Sequence, residues 1–180
     1  RIEGHRHSVA YLGVDAFSVP IQGHRGAKAD HRMIYTAVLY TPDKGRSHYL
    51  ADFDLGRLVA QMRRAAIRLG LGAAGQLIAI TDAGNGIEAA LRRHFDDEML
   101  CILDWYHAGA HLHDYAKCLH AHDPARAAAW AKQAKEVLYE RGGGALLGHL
   151  REQAAPADAL VADELRKLIG YFTETEHRTD

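Results

Sequence analysis

Along the first hundred residues the apolar positions switch between two periods, and each switch predicts an element. Val9, Tyr11, Val14, Phe17 and Val19 make a β-prone run from Val9 to about Pro20, followed by the turn residues Gln22-Gly23-His24-Arg25-Gly26. Met33 to Tyr40 is rich in β-branched and aromatic residues and closes at Thr41-Pro42-Asp43-Lys44-Gly45, beyond which His48 to Phe53 forms another short β-prone run. Three consecutive strands are expected to pair antiparallel. The period then lengthens. Leu55, Leu58, Val59, Met62, Ala66 and Leu69 share one helical face, with Asp54 placed to cap the start and Gly70 to end it. Gln76 to Ile80 and Met99 to Leu103 read as short buried strands around a helix from Asn85 to His94.

The predicted order β-β-β-α-β-α-β defines an α/β fold with a mixed five-stranded sheet and flanking helices, because a helix between two strands makes them parallel through a right-handed crossover. That is the order of an RNase H-like fold. From Trp105 onward the pattern is helical throughout, over about Trp105–His120, Pro124–Arg141, Ala145–Gln153 and Asp158–Phe172, punctuated by Gly142-Gly143-Gly144 and Pro156. The sequence therefore predicts a core over residues 1–120 and an all-helical insertion over 121–180.

Composition narrows the class. Of the 180 residues 48% are hydrophobic, enough to bury a core. Twenty-two Lys and Arg against twenty-three Asp and Glu leave a formal charge of -1, so any nucleic-acid contact must come from a local basic face. Arg57, Arg63, Arg64 and Arg68 on one predicted helix, and Arg92 and Arg93 on another, could supply it. Two cysteines, Cys101 and Cys118, form no CxxC pair and indicate neither a disulfide framework nor a cysteine zinc site. With no apolar stretch of about 20 residues and no signal-peptide pattern at Arg1-Ile2-Glu3-Gly4, the chain is expected to be cytoplasmic and without a membrane partner. Its two ends read as cuts from a longer protein.

Three acids stand at strand ends. Asp15 lies in Tyr11-Leu12-Gly13-Val14-Asp15, and a carboxylate enclosed in so apolar a strand needs a cation, donors or a proton. Asp82 ends Leu77-Ile78-Ala79-Ile80-Thr81-Asp82 and runs into Ala83-Gly84-Asn85-Gly86; taken alone, it also suits a helix cap. In the predicted sheet the first strand neighbours the fourth, which brings Asp15 and Asp82 together. Paired carboxylates suit Mg²⁺ (or Mn²⁺), which takes one or two of them with waters and phosphate oxygens. Asp104 follows the last strand, and the next helix carries His107 and His111. Imidazoles at that spacing also permit a zinc site, hence a zinc-dependent hydrolase as an alternative.

The blocks Tyr11-Leu12-Gly13-Val14-Asp15, Thr81-Asp82-Ala83-Gly84-Asn85-Gly86-Ile87 and Leu103-Asp104-Trp105-Tyr106-His107-Ala108-Gly109-Ala110-His111-Leu112 resemble DDE insertion-sequence transposases, particularly the Kra-type group related to Mutator. Relatives have Gly where Ala83 stands and a Trp-containing pair near Asn85-Gly86. The resemblance implies metal-dependent DNA cleavage and strand transfer, with Asp15 and Asp82 as Mg²⁺ ligands and Asp104 and His107 as auxiliary active-site residues. Double-stranded DNA, as transposon ends and target, is the implied partner, and the full-length protein is implied to self-associate. The segment Tyr171–Asp180 resembles the stretch before the family's final glutamate, so that acid is expected beyond Asp180 and the chain by itself is expected to be catalytically incompetent. A non-catalytic DNA-binding or regulatory transposase remnant is the other expectation.

Overall fold

A computed structural model describes residues 8–23, 26, 30–71, 74–82, 84, 86–95, 99–153 and 158–179. The opening Arg1–Gly4, the turn residues His24 and Arg25, Ala83 and Asn85 of the second acidic block, Pro156 and Asp180 lie outside the described residues. The chain divides into two compact units, Arg1–Ile102 and Leu103–Asp180.

The first unit is α/β. Strands β1 (Val9–Ile21), β2 (Asp30–Tyr40), β3 (Ser47–Asp52), β4 (Gln76–Thr81) and β5 (Leu100–Leu103) form one sheet in the order β3-β2-β1-β4-β5. β1 pairs antiparallel with β2 and β2 with β3, while β1 and β4 are parallel, so the sheet is mixed as the element order predicts. Helices α1 (Leu55–Leu69) and α2 (Ile87–His94) supply Leu58, Val59, Met62, Ile87 and Leu91 to a core with Ala10, Leu12, Val14, Ala37, Leu39 and Ala79 of the strands. The period-two alternation of β1 thus sends Ala10, Leu12 and Val14 to the helices and Tyr11, Gly13 and Asp15 to the other face.

Local chemistry sets the bounds of α1. Asp54 accepts the Arg57 backbone N–H at 2.7 Å, and Gly70 ends the helix in the left-handed region at φ 73°. β1 and β2 outrun their neighbours. β4 pairs with β1 only through Val14, and β3 reaches only Tyr35 of β2, so the remainder of the pair is a two-stranded extension.

The second unit comprises α3 (Trp105–Leu119), α4 (Pro124–Glu152), α5 (Ala159–Thr175) and a closing 3₁₀ turn (Glu176–Arg178). Pro124 opens α4 behind Asp123, and Asp158 caps α5 by accepting from Leu160 N at 2.7 Å. As the sequence predicts, two helical limbs meet at Gly142-Gly143-Gly144 within the α4 span, because Gly142, at φ 76° and ψ 177°, is not helical. Those glycines seat the 3₁₀ turn. Gly143 N donates to Thr179 Oγ1 at 3.0 Å, a Cβ on Gly143 would collide with the Thr179 side chain, and one on Gly144 would lie 2.9 Å from Glu176 Oε1. α3, which the sequence pattern groups with the sheet, is counted with the helices because it packs on α4 and α5; Ala116 meets Ala127 and Ala131, and Tyr115 meets Trp130 edge-on at 5.1 Å. Among the described residues no helix is long and apolar enough to cross a membrane.

Candidate functional site

The parallel pairing of β1 with β4 runs from Val9 opposite Gln76 to Val14 opposite Thr81. Asp15 and Asp82 are each the next residue. Neighbouring strands lie about 4.8 Å apart, so the two backbones that carry these acids run side by side where β4 ends, at the end where open α/β sheets gather ligands, while β1 continues beyond Asp15 paired with β2.

The two acids differ in setting. Asp15 is exposed, not enclosed as its apolar neighbours suggest. The reason is geometric: Asp15 lies on the sheet face opposite the helices, and β4 no longer pairs with β1 beyond Val14. One of its oxygens accepts the Ala16 backbone N–H at 2.8 Å. Asp82 is half-buried, and a Cβ on Gly84 would stand 3.6 Å from its Oδ2, so the carboxylate leans over its own turn. It is not the cap residue of α2; Gly86, at φ 68°, holds that position.

Gly13 fits β1 to β2 two residues before Asp15. A Cβ there would lie 2.9 Å from Val38 Cγ1, its partner across the pair, so any larger residue would force the Val38 side chain to shift. Beside it Tyr11 stacks on Tyr40 with ring centroids 5.0 Å apart. Burial, and then the neighbouring Tyr11, push the Tyr40 hydroxyl above its ordinary pKa.

A further acid at this end of the sheet is not singled out by sequence pattern. Asp52 is opposite Tyr35, which is opposite Ala16, so it lies near the level of Asp15 with β2 between them. Its carboxylate is engaged by Asp54 N at 3.0 Å, Arg57 Nη2 at 2.8 Å and Gln61 Nε2 at 2.9 Å. The Asp54 backbone N–H chiefly holds it below the usual carboxylate range, with Arg57 and Gln61 adding to that and burial opposing it. Asp52 fastens the β3–α1 junction. The spacing Asp52, Asp54, Arg57 was the available signal.

Asp104 and His107 belong to the second unit. Asp104 is the N-cap of α3, its Oδ1 accepting Tyr106 N at 2.7 Å and His107 N at 3.2 Å. His107 and His111, one turn apart, meet edge-on at 4.9 Å, and Tyr171 of α5 packs 4.1 Å from the His111 ring. Burial, and then the neighbouring His107, lower the His111 pKa below its ordinary value. Among the described residues no three His, Cys, Asp or Glu side chains are grouped to hold a metal ion.

No protein-family model matches the chain, and no curated protein matches it.

Proposed function

We propose that this chain carries two carboxylates of a DDE-type DNA transposase core, with Asp15 and Asp82 as ligands of a divalent Mg²⁺ or Mn²⁺ ion. The observation that supports the reading is the register of β1 against β4, which ends at Val14 and Thr81 and delivers an aspartate from each strand at the next position. The strand order β3-β2-β1-β4-β5 is compatible with an RNase H-like core, and the helices after β5 would then be its inserted region. The donor set fits the ion: two hard carboxylates leave room for waters and phosphate oxygens. A bound divalent ion supplies Lewis-acid polarisation of a phosphodiester and a more acidic attacking water.

The protein's own share is placement. Asp15, exposed beside the point where β4 stops pairing with β1, is open to a large substrate, whereas Asp82 is half-buried. Asp104 acts as a positioning residue that starts α3 and fixes where His107 begins its turn. The reading assigns no residue of this chain to a third carboxylate.

Mn²⁺ titration followed by electron paramagnetic resonance tests the assignment. Asp15→Asn and Asp82→Asn are each expected to weaken binding by roughly tenfold or more, about 1.4 kcal/mol per tenfold. Variants that bind Mn²⁺ as well as the parent chain would sink it. A non-catalytic DNA-binding role is the second reading, favoured by the arginines on α1; duplex binding with no Mn²⁺ affinity would put it first.

A further inference from the structure

We infer that the outward face of α1 is a docking surface for the phosphate backbone of double-stranded DNA. The inference rests on the proposal that DNA is the partner, and adds which residues hold it.

α1 has four arginines and no acid over its 15 residues. Arg57 is spent on Asp52 at 2.8 Å. Arg63, Arg64 and Arg68 are exposed and make no ion pair among the described residues. The other helices have acids of their own among their cations, although Arg93 of α2 and Arg126, Lys135 and Arg141 of α4 also make no ion pair among the described residues. Each pairs a cation with an acid of its own one turn away: Arg92 with Glu88 on α2, Lys117 with Asp114 on α3, Lys132 with Glu136 on α4, and Lys167 with Glu164 on α5. In a chain whose total charge is -1, α1 is thus a local concentration of positive charge, three of its four arginines making no ion pair among the described residues.

Like charges at i and i+4, as at Arg64 and Arg68, destabilise a helix. A polyanion laid along the face removes that repulsion. The three arginines fall within about 8 Å along the helix axis, and a duplex carries one charge per roughly 1.7 Å of its own, so one helix face meets several phosphates. The surface is rigid, since Leu58, Val59, Met62, Ala65 and Ala66 anchor the opposite side in the core. That anchoring also argues against a lipid surface, because the apolar stripe an interfacial helix would insert is already buried.

The test is fluorescence anisotropy of a labelled random-sequence duplex over a salt series. The parent chain is expected to bind with an affinity that falls steeply with salt. Replacing all three arginines (R63Q/R64Q/R68Q) should reduce the log–log salt slope by about 2.7, at about 0.9 for each phosphate no longer neutralised. Arg57→Gln should leave the slope unchanged, and the lysine triple R63K/R64K/R68K should keep it, which covers the case where the glutamine triple does not fold. An unchanged slope in a folded glutamine triple, a slope abolished in the folded lysine triple, or binding to phosphatidylserine vesicles with none to duplex would overturn the inference. Mn²⁺ binding is read separately. Loss of slope without Mn²⁺ affinity in the parent keeps this surface and removes the catalytic reading, and the reverse pair of results does the opposite.

Discussion

Asp82 and Asp104 look alike in the sequence, each closing an apolar strand ahead of a helix, yet they take different places. Asp104 immediately precedes α3 and gives its carboxylate to two backbone N–H groups of the first turn. Asp82 stands further ahead of α2, whose cap position belongs to Gly86, and it aligns with Asp15 on the neighbouring strand. The difference lies in the length of the connection. A helix that starts one residue after an aspartate absorbs it as a cap, whereas a longer turn leaves the acid at the end of its strand, where the neighbouring strand decides what it meets.

Four changes sharpen that comparison. The largest effect is expected at the aligned pair: with Mn²⁺ present in excess, the parent chain should melt higher than without it, and Asp82→Asn should abolish the increase, as ligand linkage requires. An increase that survives in Asp82→Asn would put both acids on the side of Asp104. Gly13→Ala comes next. Its Cβ would press on Val38, and over-packing of this kind costs about 1–3 kcal/mol, measurable by urea denaturation. A neutral Gly13→Ala would mean that the β1–β2 register is looser than the pairing indicates. Asp104→Ala should cost about 1 kcal/mol through removal of the cap, with Asp104→Asn or Asp104→Ser recovering most of it. Full recovery by serine marks a cap; a defect in duplex binding that serine does not mend marks something more.

The smallest effect is at His111. Its pKa is lowered in the folded chain, so between that lowered value and the ordinary value near 6.5 the unfolded state binds more protons than the folded one. Stability from this group is therefore present above the ordinary value and is lost as pH falls towards the folded one. Denaturation curves between pH 5 and 7.5 should show His111→Gln flattening that decline. An unchanged pH dependence would remove His111 as its source.

Much of this fold is legible because its signals are local. Asp54 and Gly70 bracket α1, Pro124 and Asp158 mark the starts of α4 and α5, and the alternation of β1 names its buried face. What escaped depended on distant partners. Asp15 reads as enclosed because its neighbours are apolar, but its exposure is decided by where β4 stops. Asp52 resembles any polar strand end until Arg57 and Gln61 fold back onto it. The glycine triplet reads correctly as a helix break, but its tie to Thr179, 36 positions away, has no signal in the local pattern. Of the candidate site, the alignment of Asp15 with Asp82 followed from strand order alone; the metal and the DNA are proposals for experiment.

The break within α4 also bears on the order of events during folding. The two limbs of α4 can form from nearby contacts within the first moments of collapse, but the notch at Gly143 closes only when a residue 36 positions later arrives. A contact across 36 positions carries more loop-closure entropy than the turns of either limb, so the bond between Gly143 and Thr179 is expected to form after the limbs. Thr179→Val should consequently hasten unfolding while hardly changing the folding rate, making the small turn at residues 176–178 a brake on the helical unit's disassembly.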